Sequence, residues 1–277
     1  MKADSIQWLD ETHPNYLRWK RAREISIARG KFVESIVSKE IECRNLTVLD
    51  LGSGEGGTTN VFSKNNFVIS FDLSKIRLQR QSNSDVNSQK ICGNISDIPL
   101  KKKSFDLIIL QDVIEHLQLT NRLVDELYGL LQERGIIYLS TPNKFSVFNI
   151  LADPHWGVPF ISLLKRESVK KYFLNYFRKS EVNREDIPEL LSLRVILDLF
   201  DKNFNLSLFT VHSVKELFNG NKGIAWSDFH LKLIKVARIL GLDKIIVKIA
   251  NDKIGFVNQF LTPTFYMVLK RKPGISI

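Results

Sequence analysis

Apolar positions along the chain change their spacing at regular intervals. Between residues 16 and 42, Ile25, Ala28, Phe32, Ile36 and Val37 recur at helical spacing with charges between them, which predicts a helix. TVLDLG (47–52) is a short apolar run stopped by glycine, the pattern of a buried strand. A helix is expected over Thr58–Lys64, a second strand at FVISFD (67–72), a weaker third at KICGN (90–94) and a strong fourth at SFDLIILQD (104–112). Residues 113–133 read as a helix closed by Gly135, and GIIYLSTP (135–142) as a fifth strand stopped by Pro142. These strands are continuous apolar runs rather than alternating ones, as expected of a parallel sheet covered by helices on both faces.

Regularity weakens after residue 143. The stretch 144–187 reads as loop and helix rich in aromatic residues, and 188–202 as a helix opened by Pro188 in its first turn. FNLSLFTVH (204–212) alternates like a strand, 228–250 is helical and basic, and TPTFYMVLKRK (262–272) predicts a last strand. No run reaches the roughly 18 apolar residues that a spanning helix needs, and MKADSIQWLDETHP lacks the apolar stretch of a signal peptide.

Charge adds one feature. The net charge is +10, with 20 Lys/Arg against 18 Asp/Glu up to residue 149 and 20 against 12 beyond it. The basic excess of the second half suits an anionic neighbour, such as a membrane surface, a phosphorylated substrate or nucleic acid, or else serves solubility. Cys43 and Cys92 carry neither metal nor disulfide spacing, which fits a reducing compartment; no metal is expected.

The candidate chemistry centres on VLDLGSGEGGTT (48–59). Gly52, Gly54, Gly56 and Gly57 fall within six residues, directly after a strand and before a helix. Such a turn lets a ligand lie against bare backbone at the carboxyl edge of the sheet. Gly52, Gly54 and Gly57 satisfy the G-x-G-x-x-G dinucleotide pattern, with Asp72 twenty residues after the first. Asp50, however, precedes the first glycine. A carboxylate there does not suit a diphosphate; it suits a ligand with an ammonium group and no phosphate.

VLDLGSGEGGTT resembles the first motif of the class I S-adenosylmethionine-dependent methyltransferases. The likeness continues in order through FVISFDLS (67–74), GNISDIPLKKKSFDLIILQDVIEHL (93–117) and GIIYLSTPN (135–143). It implies an α/β fold: a Rossmann-like seven-stranded sheet, mostly parallel, with an antiparallel last strand and helical insertions forming a lid. It implies S-adenosyl-L-methionine as cofactor. Asp50, Gly52, Ser53 and Gly54 would pass its methionine part, and Asp72 would accept both ribose hydroxyls with Leu73 beside it. Asn94 stands where the family usually has Asp at the adenine amino group, Ile95 would offer its backbone N–H to the ring, and Gln111 a carbonyl to the ammonium. Arg29 is a candidate for the methionine carboxylate, with a solvated helix face as the other reading.

For the methyl acceptor, His155 in DPHWG and His116 in DVIEHL are the candidate bases, with Asp153 to orient His155 and Trp156 to exclude water. The stretch lacks an Asn/Asp-Pro-Pro-aromatic run, neither Cys follows proline, and no RNA-binding motif is appended. Those absences argue against nucleic acid and for a small, hydroxylated acceptor, including a lipid-linked or glycan-pathway one. Residues 229–250 place Lys232, Lys235, Arg238, Lys244 and Lys248 among apolar positions, as for contact with a membrane interface or as a packed lid. The expected units are a helical cap (1–44), a cofactor-binding core (45–143), an aromatic lid insertion (144–187) and the rest of the core (188–277) with a basic helical insertion (about 216–258). The protein is expected in the cytoplasm, either free or peripheral to the inner face of a membrane. Two other functions compete: an NAD(P)-dependent oxidoreductase, and a non-catalytic module of the same fold that binds a membrane or partner. The acceptor, the atom methylated and the oligomeric state are open at this level.

Overall fold

In a computed structural model that describes residues 9–81, 88–184, 186–221, 223–224 and 228–272, the apolar runs pair into one seven-stranded sheet. The strands are β1 (Thr47–Leu51), β2 (Phe67–Asp72), β3 (Ser88–Cys92), β4 (Phe105–Gln111), β5 (Leu131–Pro142), β6 (Phe204–Leu208) and β7 (Thr264–Arg271), in spatial order 3-2-1-4-5-7-6. All neighbours among β1 to β5 run parallel; β7 is antiparallel to both β5 and β6.

The continuous strand runs sort residue by residue onto the two faces. Leu49, Leu51, Ile108, Leu110, Ile137 and Leu139 enter one core, with helix α5 (Asn121–Leu130) and the helix Leu193–Phe200 packed over it. Val48, Leu107, Ile109, Ile136, Tyr138 and Val268 enter the other, under α2 (Ser26–Val37) and α3 (Gly57–Phe62), while α4 (Lys75–Arg80) follows β2. Successive side chains of a strand point to opposite faces, so a strand covered on both sides must be apolar throughout. A third, smaller cluster of Trp156, Val169, Phe173, Leu174 and Ile187 forms within the aromatic stretch.

Several boundaries differ from expectation. The first helical run breaks at Ile25 into α1 (Tyr16–Glu24) and α2. After β4 the chain makes only the turn Ile114–His116, and α5 starts after Thr120, whose hydroxyl accepts the Leu123 N–H at 3.3 Å. Gly135 does not close that helix. It lies inside β5, where a β-carbon would come within 2.8 Å of the Phe105 carbonyl oxygen. Pro188 precedes rather than opens the next helix, because Ser192 supplies the cap to Val195 N–H at 3.3 Å. Strand β6 ends at Leu208, and Thr210–Phe218 is helical. The basic segment is two helices, Asp228–Ile239 and Leu242–Ile249, joined at Gly241 with φ of 70°. Residues 1–8 of the N-terminal stretch and residues 222 and 225–227 of the basic insertion lie outside the described residues. Among the described residues no helix is long and apolar enough to cross a membrane.

Candidate functional site

The glycine turn sits at the carboxyl edge of β1, between β2 and β4. Gly52 and Gly54 adopt φ of 73° and 57°, a left-handed conformation that L side chains resist. The backbone is tied to β2: Gly52 N–H and Ser53 N–H donate to the Phe71 carbonyl at 2.8 and 3.2 Å. A β-carbon on Gly52 would stand 2.5 Å from Val113 Cγ2, whereas one on Gly54 would meet no atom within 4 Å. One side of the turn is therefore packed shut and the other is open.

Asp72 closes β2 and reaches back to this turn. Its Oδ2 accepts the Gly54 N–H at 2.8 Å and its Oδ1 the Ser74 N–H at 2.8 Å, with the residue 6% exposed. A carboxylate has about four lone-pair sites, so two remain for a ligand's hydroxyls. Beside it Leu73 is exposed, an apolar surface at the mouth of the turn. Ser53 Oγ accepts from Ser70 Oγ at 2.7 Å and from Gln81 Nε2 at 3.0 Å, so its hydroxyl is held away from the opening. Ile95 is buried; Asn94 is exposed, and its side-chain oxygen accepts the Ser96 N–H at 2.9 Å.

Asp50, expected beside a ligand's charge, is instead buried beneath α3. Its carboxylate accepts the Thr59 hydroxyl at 2.7 Å, and burial raises its pKa to about 6. It supports the turn from below. Gln111 turns its side chain to the start of α3, accepting the Thr58 hydroxyl at 2.6 Å.

Arg29 does not lie on a solvated face. Gly30 allows α2 to approach so closely that a β-carbon there would lie 2.9 Å from the Gly57 carbonyl oxygen, and this brings Arg29 to Asp112. Arg29 Nη2 pairs with Asp112 Oδ2, and Asp112 Oδ1 accepts the Ser140 hydroxyl at 2.8 Å. Asp112 itself has a φ of 55°, so the end of β4 is bent sharply toward the glycine turn.

A few residues on, the structure brings His116 and His155 together, with ring centroids 5.3 Å apart and planes at 87°. His116 Nδ1 lies 2.9 Å from the Asp186 carbonyl oxygen. Asp153 does not orient the His155 ring as expected. Its Oδ1 accepts the backbone N–H of His155 and Trp156 at 2.8 and 2.9 Å, and the ring Nδ1 stands 4.0 Å away. Trp156 packs into the third cluster against Phe173. Near both imidazoles lies Glu115, which sequence reasoning passed over. It is 1% exposed; burial, with Asp112 adding to it, pushes its pKa up to about 8. Burial lowers both imidazoles, and for His155 the nearby His116, Arg184 and Arg18 add to the effect. Arg18, also missed, fixes the loop by donating to the carbonyls of Asp153 and Pro154 at 3.0 Å each. The one signal for Glu115 was a lone acid within apolar residues right after a strand; for Arg18 there was none, since its partners lie 135 and 136 residues away.

Comparisons with known proteins bear on the family and the fold. A family model described as a methyltransferase domain matches residues 49–139. A probable S-adenosylmethionine-dependent methyltransferase of Mycolicibacterium smegmatis is 28% identical over 154 residues, covering 54% of this chain and 51% of that protein. A ubiquinone biosynthesis O-methyltransferase of Pelagibacter ubique is 24% identical over 149 residues, covering 50% of this chain and 60% of that protein. The chain thus spans about half the length of the mycobacterial relative. Among solved structures, an S-adenosylmethionine-dependent methyltransferase from Mesorhizobium loti has the same fold, with a TM-score of 0.52 at 15% identity over 86% of this chain and 96% of that one.

Proposed function

We propose that this chain, which belongs to the class I S-adenosylmethionine-dependent methyltransferases through residues 49–139 and its sheet order, methylates a small hydroxylated acceptor. The observation that carries the reading is the pairing of an open glycine turn with a carboxylate that holds it and keeps two lone pairs in reserve. These residues fit S-adenosylmethionine. Gly52, Ser53 and Gly54 offer backbone, Asp72 takes the ribose, Leu73, Asn94 and Ile95 border the adenine, and the Gln111 carbonyl meets the ammonium. Arg29, held by Asp112, reaches the same edge. When bound, the cofactor supplies a methyl group already activated on a sulfonium.

What is left to the chain is alignment and exclusion of water. Residues 144–187 act as the lid: their own small core around Trp156 keeps the 153–157 loop in place over the carboxyl ends of β4 and β5. His155 and His116 face the acceptor's oxygen from that loop and from the turn after β4. The alternative of an NAD(P)-dependent oxidoreductase is set aside by the matched domain and by β7, which runs antiparallel between β5 and β6.

A lipid-linked acceptor is favoured by a further observation. On the helices Asp228–Ile239 and Leu242–Ile249 and the linker between them, Ile239, Leu240, Ile245 and Ile249 are exposed beside exposed Lys235, Arg238, Lys244 and Lys248. An apolar stripe flanked by lysines suits an anionic membrane interface. Calorimetric titration tests the central reading. S-adenosylmethionine and its demethylated product are expected to bind one to one, NAD not at all, and Asp72→Ala to weaken the donor by about 100-fold or more, as loss of two charge-assisted hydrogen bonds predicts. Uptake of NAD alone, or undiminished donor affinity in Asp72→Ala, overturns it.

A further inference from the structure

One carboxylate and two imidazoles converge where the turn after β4 meets the 153–157 loop. Ligand atoms of Glu115, His116 and His155 all lie within 4.8 Å of one another. Their hydrogen bonding is incomplete at two buried atoms. Glu115 Oε2 accepts the Thr141 hydroxyl at 3.0 Å, while Oε1 is fully buried with no hydrogen-bond partner. The nearest cation-binding atom to that oxygen is His155 Nε2 at 3.9 Å, beyond hydrogen-bond reach, and His155 Nδ1 is likewise buried without a partner. His116 Nδ1 faces the Asp186 carbonyl oxygen at 2.9 Å. A carbonyl only accepts, so Nδ1 carries the hydrogen and Nε2 presents its lone pair.

A buried carboxyl oxygen without a partner is costly, and folded proteins rarely leave one. We propose that Glu115, His116 and His155 bind a divalent transition-metal cation of the zinc class, with a remaining coordination position open to an oxygen ligand. One carboxylate and two imidazoles make a donor set that suits zinc and its neighbours rather than magnesium or calcium. Ligands about 2.1 Å from a tetrahedral ion stand about 3.4 Å apart, so the 3.9 Å gap between Glu115 and His155 must close by about 0.5 Å and no gap in the cluster by more than about 1.4 Å. The supporting bonds already have the form such sites use: Thr141 on the carboxylate, the Asp186 carbonyl on the His116 ring, and Asp153 on the His155 backbone. Arg166 holds the turn itself, donating to the Glu115 and Leu117 carbonyls at 3.1 Å each. Because Val113 packs on Gly52, two residues before Glu115, the cluster borders the cleft assigned to the donor. That the open position receives the acceptor's oxygen, so that the two histidines act as ligands and not as bases, rests on the methyl-transfer reading. Binding of the ion does not.

The test uses the full chain freed of metal by chelation, then titrated with zinc, and with cobalt(II) as a spectroscopic probe. One equivalent is expected to bind, and cobalt to give the intense visible bands of a low-coordinate nitrogen–oxygen site. Glu115→Gln and His155→Ala should each weaken binding by about 100-fold, while the control His212→Asn leaves it unchanged. Donor affinity, measured on the same samples, shows whether each variant has kept its fold. The wild-type cobalt spectrum needs no variant. Absence of stoichiometric binding in the wild type, an octahedral aquo-type spectrum, or equal affinity in folded Glu115→Gln overturns the proposal. Cation uptake without donor uptake leaves it standing and sinks the methyl-transfer reading instead.

Discussion

Replacing Gly52 with alanine separates two demands that the glycine turn makes at a single position. The first is conformational: an alanine held at φ of 73° costs about 1–2 kcal/mol. The second is steric. The new β-carbon would stand 2.5 Å from Val113 Cγ2, more than 1 Å inside ordinary carbon–carbon contact at about 3.5–4.0 Å. Relief of such overpacking costs about 1–3 kcal/mol, so the variant should lose roughly 2–5 kcal/mol in all. Val113 cannot withdraw freely, because Asp112 before it is bonded to Arg29 and Ser140 and the turn Ile114–His116 follows at once. Donor affinity should therefore fall together with stability.

Urea denaturation of Gly52→Ala, Val113→Ala and the double variant gives the steric part as a coupling energy. The double variant is expected to be more stable than the sum of the single losses by about 1–3 kcal/mol, with the conformational loss remaining. Gly52→Ala within about 0.5 kcal/mol of the wild type, with unchanged donor affinity, would refute the geometry of the turn. Strict additivity would show that Val113 is not what the missing side chain makes room for.

Three further outcomes follow from the same structure. Asp50 has a pKa raised by burial to about 6 from 3.8, so the folded state holds its proton more tightly than the unfolded state. Its contribution is complete below about pH 4 and is lost as pH rises through 6, on the order of 3 kcal/mol; the stability difference between Asp50→Asn and the wild type, followed by denaturation from pH 4 to 7, should shift in favour of Asn by that order. Arg18→Met removes two charged donors from the Asp153 and Pro154 carbonyls and should cost about 1.5–3 kcal/mol, with amide exchange rising first at residues 153–157. Ile239→Asp with Ile245→Asp should abolish co-sedimentation with anionic vesicles while leaving donor affinity intact, and retention on vesicles would count against the membrane contact.

The cofactor half of the site was legible because its determinants are local. A buried strand, a glycine turn and an acid at the end of the next strand are each fixed by a few adjacent residues, and the parallel pairing of β1 with β2 brings them together in register, Leu51 beside Phe71. What the sequence hid was direction. Asp50 and Asp72 both lie near the carboxyl ends of their strands, yet Asp50 points under α3 and Asp72 toward the turn. The alternation that decides this depends on which face each helix covers, and both faces were apolar. Arg29 was ambiguous for a similar reason: its charge fits a solvated face as well as a ligand, and only the close approach of α2 at Gly30 turns it to Asp112.

The acceptor half is a matter of long-range contacts, and that difference bears on specificity. Asn143, just beyond β5, is fully buried and donates to the carbonyls of Asn258, Gln259 and Thr262 at 3.2, 3.1 and 2.9 Å, so the chain before β7 is anchored to the end of β5. Arg18 from α1 fixes the loop that carries His155, and Arg166 from the aromatic stretch fixes the turn that carries His116. Two distant segments thus clamp the loops that carry His155 and His116, whereas the glycine turn and the Asp72 that holds it lie on one continuous stretch. A change of acceptor can then arise by altering any one of these clamps without disturbing β1, β2 or the glycine turn. The family model matches residues 49–139, the stretch that carries the glycine turn, Asp72 and the end of β4, and stops short of Asn143, Arg166 and the loop of His155.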